Sequence, residues 1–180
     1  MLGLRWLRDY SSKEHEVIGI VCDPQDASPG YYNTWQGFVA ENIPPIPDEQ
    51  VPILIAAILY HVTAVICAGN QEHADWFLDW LAQIVQFPWI ISQVAIMLYG
   101  DQGVGKDIFL DWFRLNLLGP HCTYQTCDPE NRIFSRFSVG RVDRVLIQMD
   151  EVKDLKSFYD NLKDVVTGTS LVLLVLPCST

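Results

Sequence analysis

The stretch from Val94 to Asp107 reads VAIMLYGDQGVGKD, and it decides the fold class. Its first six residues are apolar and predict a buried strand. The glycines that follow, together with Lys106, fit the pattern G-x-x-x-x-G-K. Apolar residues then recur with helical spacing, which predicts a helix over Gly105–Leu118 with Ile108, Phe109, Trp112, Phe113 and Leu117 on one side. A strand, a glycine loop and a helix in this order are the context that a phosphate-binding loop requires.

The glycine loop supplies the first candidate binding residues: Gly100, Gly103, Val104, Gly105, Lys106 and Asp107. Glycines allow the main chain to turn tightly and to direct N–H groups toward a phosphate chain. The N-terminus of the following helix adds partial positive charge, and Lys106 supplies a full positive charge for the terminal phosphates. The alternative is an ordinary glycine turn without a ligand.

One position departs from the usual pattern. Asp107 stands where a Ser or Thr usually coordinates Mg²⁺. A carboxylate can also bind Mg²⁺ or a water of its coordination shell, because both offer hard oxygen atoms. The same carboxylate adds negative charge near the phosphates. We therefore expect either weaker nucleotide binding or a different arrangement of the metal.

A second apolar run, Val145–Met149, ends in Asp150 and Glu151 and resembles a Walker B motif. In that interpretation Asp150 holds Mg²⁺ through water, and Glu151 polarises the attacking water as the general base. The alternative is a strand that ends in a solvated acidic turn. If both motifs follow parallel strands, they could lie on neighbouring strand ends.

The chain as a whole is predicted to be an α/β protein. Residues 1–50 are mostly irregular, with a short helix over Leu2–Leu7 and a strand over Val17–Cys22. Residues 51–92 form a helical subdomain. Residues 93–180 form an ATPase core with a parallel sheet, completed by a helix near Leu155–Val166 and an apolar run Leu171–Leu176. In the helical subdomain one helix spans Val51–Cys67, and a second begins after Asn70 and ends at Pro88, with a stripe of Trp76, Phe77, Trp80, Leu81, Ile84 and Val85.

Composition limits the possible partners. The chain of 180 residues has a net charge of −10, so it offers no broad basic surface for nucleic acid. Its five cysteines have no metal-site spacing and indicate reduced thiols in an intracellular protein. The uncharged run Val51–Ala68 is long enough to span a bilayer, but Pro52, His61 and Thr63 interrupt it and no basic residue flanks it. We expect no membrane partner.

Together these motifs resemble the superfamily 3 helicases, in particular the primase-helicases of viruses, phages and plasmids. The resemblance extends to further segments: Tyr32–Phe38 (an N-x-W-x-G-F element), His61, Trp80–Ala82, Gln86–Pro88 and Leu162–Gly168. It implies an AAA+-like P-loop ATPase that uses ATP and Mg²⁺ in DNA replication. It also implies a homo-oligomeric ring on single-stranded DNA, in which the neighbouring subunit contributes an arginine, and an intracellular, virus-like replication context.

The sequence departs from this family after the Walker B-like run. The family continues with a DNA-contacting loop, a strand ending in a polar sensor residue and an arginine finger. Here Leu171–Leu176 is either that sensor strand or an unrelated tail. We expect a C-terminally incomplete core, and an isolated chain that turns over ATP slowly or not at all. The alternatives are a small-molecule or nucleotide kinase and a catalytically inert nucleotide-binding remnant.

Overall fold

The computed structural model describes residues 19–90, 92–100, 103–135, 143–152, 161–162 and 172–177, the backbone alone at 151–152 and 172–177. The helix predicted over Leu2–Leu7 and most of the helix near Leu155–Val166 lie outside the described residues. The chain divides into two compact units, Met1–Gly37 and Phe38–Thr180. The division into segments 1–50, 51–92 and 93–180 stays a prediction.

The first unit contains two short parallel strands, β1 (Gly19–Val21) and β2 (Tyr31–Asn33). The sequence predicted only one strand in the mostly irregular residues 1–50, so the strand Tyr31–Asn33 is a correction. The side chain of Asn33 accepts from the N–H groups of Asp23 and Trp35 at 2.9 and 3.0 Å. The Ser28 hydroxyl and the N–H of Gln25 donate to the Asp23 carboxylate and lower its pKa. These bonds order the loop that connects the two strands.

The second unit begins with helices. A 3-10 turn spans Val39–Asn42, and helix α1 spans Val51–His61. Its last turn widens into a π-helical segment, Val62–Ile66. Helix α2 spans Gln71–Gln86, and the side chain of Asn70 caps it by accepting from the His73 N–H at 3.0 Å. The predicted cap and end of α2 are therefore confirmed.

The two helices differ in burial. α2 is amphipathic and buries Ala74, Phe77, Trp80, Leu81 and Ile84, whereas Trp76 of the predicted stripe is 52% exposed. α1 is apolar along its whole length and buries none of its residues. The first fully buried residue after α1 is Val62, in the π-helical segment. No helix in the described part of the chain has both the length and the apolar character needed to cross a bilayer.

A four-stranded parallel sheet forms the centre of the second unit. Its strands are β3 (Ala95–Met97), β4 (Thr123–Thr126), β5 (Leu146–Val152) and β6 (Val172–Pro177), in the order β3-β6-β5-β4. All three strand pairs are parallel, as the predicted α/β class requires. The strand β4 was missed, because TYQT is short and half polar.

Helix α3 (Lys106–Trp112) follows β3 after the glycine loop and continues as a π-helical segment, Phe113–Leu118. A short helix α4 (Pro129–Arg132) follows β4. The α3 residues Phe109 and Leu110 are buried. The centroid of the Phe109 ring lies 6.0 Å from the centroid of the Phe77 ring in α2. The sequence placed Ile108 and Trp112 on the same side as Phe109, but they are 74% and 37% exposed, so the buried stripe of α3 is narrower than predicted and starts at Phe109.

One face of the sheet is covered by a compact apolar cluster. Its centre consists of Ile133, Ile147, Met149 and Leu162, with Tyr124 and Met97 packed against it. Burying a side chain of this size contributes roughly 1.5–3 kcal/mol. The opposite face carries Gln125, Gln148 and Asp150, because side chains alternate along a strand. The buried side chains of Ile96 and Leu146 lie on this opposite face as well, so its polar groups are confined to the part near the carboxyl ends of β4 and β5.

Candidate nucleotide-binding site

The glycine loop connects the end of β3 to the start of α3. Gly103 and Gly105 have φ angles of +79° and +92°, in the left-handed region that favours glycine. The Lys106 ammonium group donates to the carbonyl oxygen of Gly100 at 2.8 Å, so the lysine folds back over the start of its own loop. Val104 and Asp107 are exposed. The described part of the loop, Gly100 and residues 103–105, therefore brings main-chain groups and the Lys106 ammonium group close together.

A histidine from outside the sheet contacts this loop. The Nε2 atom of His61, at the end of α1, lies 3.0 Å from the carbonyl oxygen of Gly105. A Cβ atom on Gly105 would lie 2.8 Å from His61 Cε1, which is closer than non-bonded carbon atoms approach. A side chain at residue 105 would therefore require the His61 ring to move, in addition to the strain of a φ angle of +92°.

The carboxyl end of β5 carries a carboxylate held by two amides. The Gln125 Nε2 atom donates to one Asp150 oxygen at 2.6 Å, and the Gln148 Nε2 atom donates to the other at 3.0 Å. Gln148 is almost fully buried. These bonds fix the orientation of the Asp150 carboxylate, and each oxygen keeps lone-pair capacity for a further ligand.

The amide of Gln125 is itself oriented by an arginine. Arg114, in the π-helical segment after α3, donates to the Gln125 Oε1 atom at 2.6 Å and pairs with Asp111 at 3.1 Å. The guanidinium can only donate and the ionised carboxylate only accepts, so the amide has a single satisfied orientation. A continuous polar chain thus runs from the helix after the glycine loop to Asp150.

The two candidate motifs lie at the same edge of the sheet but not on adjacent strands. β3, which precedes the glycine loop, and β5, which carries Asp150 and Glu151, both pair with β6. Because the strands are parallel, their carboxyl ends meet at one edge, about 10 Å apart across β6 at the usual strand spacing. The sequence suggested that the two motifs lie at the ends of neighbouring strands. This expectation is corrected, because β6 (residues 172–177) lies between β3 and β5.

The described residues contain no group of three or more His, Cys, Asp or Glu side chains that could hold a metal ion. Asp107 and Asp150 are thus not brought into such a cluster. Magnesium in nucleotide sites is commonly held by one or two carboxylates together with phosphate oxygens. The oriented, half-buried Asp150 carboxylate fits that role on its donor chemistry.

Sequence reasoning missed three contributors to this site. His61 was noted without a role, and Gln125 and Arg114 were not singled out. Their contacts join residues far apart in the chain, so no local pattern reveals them. One signal was available: Gln148 interrupts an otherwise apolar strand, and a buried amide requires hydrogen-bond partners.

Comparison with known proteins finds similarity among solved structures. No family model matches the chain, and no curated protein matches it. Among solved structures, the apo structure of the NrS-1 C-terminal region (residues 305–718) matches with a TM-score of 0.67 at 17% identity. The A form of the apo NrS-1 C-terminal region matches with a TM-score of 0.68, also at 17% identity. NrS-1 is a primase-helicase from a virus.

These matches cover 89% of this chain but only 42% of the NrS-1 chains, so this chain spans less than half of their length. The chain therefore shares the fold of the matching part of the NrS-1 C-terminal region, an α/β fold with a parallel sheet. At this level of identity the likeness describes the fold, and the chemistry has to be argued from the residues of this chain.

Proposed function

We propose that this chain is the ATP-binding core of a DNA-replication ATPase of the primase-helicase type, with an AAA+-like P-loop sheet. The observation that carries the proposal is the placement of two motifs at one sheet edge. The glycine loop with Lys106 follows β3, and Asp150 with Glu151 ends β5. The fold of the NrS-1 region supports the same assignment.

In this proposal each residue acts through ordinary electrostatics. The N–H groups around Gly103, Val104 and Gly105 bind phosphate oxygens, and Lys106 exchanges its carbonyl partner on Gly100 for the terminal phosphates. Asp150, which two amides orient, is the favoured candidate Mg²⁺ ligand, and the exposed Asp107 is the second candidate. When bound, Mg²⁺ neutralises phosphate charge. Glu151, next to Asp150 in β5, accepts a proton from the attacking water.

The decisive experiment is a titration of the chain with ATP in Mg²⁺ by calorimetry, with Lys106→Ala as the test variant. Losing the ammonium group should weaken ATP binding about a hundredfold or more, because charge-assisted bonds contribute roughly 1.5–3 kcal/mol each. Arg132→Ala, which removes a positive charge from exposed α4, is the matched control and should bind like the parent. Equal ATP affinity in the parent and Lys106→Ala would refute the proposal.

Hydrolysis is tested separately from binding. If the parent hydrolyses ATP, Glu151→Gln should abolish turnover and leave ATP affinity within about threefold, since the general base contributes to chemistry and not to binding. A parent that binds ATP without turnover would agree with the slow or absent hydrolysis expected of the isolated chain, and also with an inert nucleotide-binding protein. Hydrolysis that persists in Glu151→Gln would assign the base to another residue.

We extend the proposal to single-stranded DNA as a partner and to a ring of copies of this chain. With a net charge of −10, a DNA site has to be a local one. Fluorescence anisotropy with a labelled oligodeoxythymidylate, with and without Mg-ATP, tests the DNA partner. Sedimentation velocity under the same conditions tests the ring. No binding of the oligonucleotide with or without Mg-ATP would contradict the DNA partner, and a chain that stays monomeric under both conditions would contradict the ring.

A further inference from the structure

We propose that His61 is a positioning residue for the phosphate-binding loop: it holds the peptide between Gly105 and Lys106 so that the Lys106 N–H faces the ligand. This inference rests on the proposed function, since it concerns how that site is organised. The contact that carries it joins His61 Nε2 to the Gly105 carbonyl oxygen at 3.0 Å.

The geometry of the peptide bond gives this contact a consequence. In a trans peptide the C=O of one residue and the N–H of the next point in opposite directions within one plane, and the structure has no cis bond among its described residues. A donor that fixes the Gly105 carbonyl therefore fixes the direction of the Lys106 N–H. Since a carbonyl oxygen only accepts, the His61 Nε2 atom carries the proton in this bond.

The need for this restraint follows from the loop itself. Gly105 has a φ angle of +92°, and the neighbouring Gly103 is also in the left-handed region. Glycines reach many conformations at little cost, so a loop built from them does not hold one peptide orientation unless something else restrains it. His61 supplies such a restraint from a different element.

The position of His61 makes it suited to hold the loop. It is the last residue of α1, and the next residue, Val62, is fully buried and begins the π-helical segment. Insertions of π-helical geometry often occur at functional sites, because they redirect side chains. Within the α1 region, Val62 anchors the backbone and His61 contacts the loop. The close fit at Gly105, where a Cβ would lie 2.8 Å from the imidazole, shows how little space separates them.

The test compares two substitutions at this position. His61→Phe keeps the ring shape but removes the donor, and His61→Gln keeps a donor on a flexible side chain. We expect His61→Phe to weaken binding of Mg-ATP and of inorganic tripolyphosphate by the same factor of about ten, in line with the loss of one hydrogen bond. His61→Gln should recover at least half of that loss on a logarithmic scale. His73→Phe, at an exposed position of α2, is the matched control.

A second readout reports the peptide directly. In ¹⁵N-labelled protein, His61→Phe should shift the Lys106 amide resonance and speed its hydrogen exchange, whereas His73→Phe should leave both unchanged. Thermal unfolding of all variants identifies a purely structural effect.

The outcomes separate the inference from the proposed function. If the parent binds ATP and Lys106→Ala does not, but His61→Phe binds like the parent, the positioning role is refuted and the nucleotide site stands. If His61→Gln loses as much affinity as His61→Phe, packing and not hydrogen bonding is responsible, which also refutes it. If the parent binds neither ATP nor tripolyphosphate, the proposed function fails and the inference fails with it.

Discussion

The candidate site lies at one edge of the sheet, where β3 and β5 end. The region at the end of β3 and the region at the end of β5 are built in different ways. At the end of β3 the groups offered to a ligand belong mainly to the main chain, and glycines at +79° and +92° shape the turn. At the end of β5 the group offered is a side chain, and amides from two strands hold the Asp150 carboxylate. The first end depends on backbone conformation, and the second depends on side-chain hydrogen bonds. Substitutions should therefore affect them through different mechanisms.

The largest effect is expected at Gly105. Gly105→Ala places a Cβ 2.8 Å from His61 and forces a left-handed backbone onto alanine, which costs roughly 1–2 kcal/mol by itself. Gly69→Ala is the matched control, because its φ angle is +79° and nothing lies within 4 Å of the added Cβ. Chemical denaturation should show a loss of about 1 kcal/mol for Gly69→Ala and a clearly larger loss for Gly105→Ala. ATP binding should fall about a hundredfold in Gly105→Ala alone, because the clash is at the phosphate loop.

Equal losses of stability in the two alanine variants would mean that the contact with His61 does not restrict the loop. The double variant His61→Ala/Gly105→Ala sharpens this test, since it removes the clash and keeps the backbone strain. The double variant should be more stable than Gly105→Ala, and the gain in its free energy of unfolding should equal the difference between the losses in Gly105→Ala and in Gly69→Ala.

The second comparison tests whether the proposed Mg²⁺ ion is held at the end of β5, by Asp150, or at the glycine loop, by Asp107. Asp150→Asn removes the charge and also places an amide N–H against the amide donors, which leaves one donor unpaired at a cost of about 1–3 kcal/mol. Arg114 fixes the Gln125 amide, so this conflict is not relieved by rotating that group. The Mg²⁺ concentration needed for half-maximal ATP binding should rise at least tenfold, within the range seen for residues around metal sites.

Asp107→Asn is the counterpart at the other end. Its side chain is exposed, so we expect a change of less than about threefold in the same magnesium titration. If Asp107→Asn has the larger effect, the metal is held at the glycine-loop end, and the unusual carboxylate there is its ligand.

The local parts of this architecture could be predicted from the sequence, and the non-local parts could not. The glycine loop, the α2 cap at Asn70 and the run ending in Asp150 each lie within a few consecutive residues, so their patterns are visible. The insertion of β6 between β3 and β5 depends on pairing across long separations. Gln125 lies in a short strand with no apolar alternation, and its function follows only from contacts with Arg114 and Asp150.

The role of Gln125 can be measured. Gln125→Met keeps the size of the side chain but removes the bonds to Asp150 and Arg114. The half-saturating Mg²⁺ concentration should rise several-fold to about tenfold, because the carboxylate loses one of its two orienting donors. Gln71→Met is the matched control, since Gln71 also donates to an aspartate, Asp75 at 2.8 Å, but both residues are at exposed positions of α2. A similar change in both variants would exclude a specific effect on Asp150.

The smallest effect is expected at Val104, and it tests the claim that the glycine-loop end works through the main chain. The side chain of Val104 is 42% exposed, and substitution to alanine keeps the N–H that the proposal assigns to phosphate binding. Val104→Ala should therefore change the free energy of unfolding and the ATP affinity by no more than about 0.5 kcal/mol, which is near twofold in affinity. Lys106→Ala, measured by calorimetry in parallel, shows how large the loss of ATP affinity is when a binding side chain of the loop is removed. A loss of tenfold or more in Val104→Ala would mean that this loop binds with side chains too, and the contrast with the Asp150 end would no longer hold.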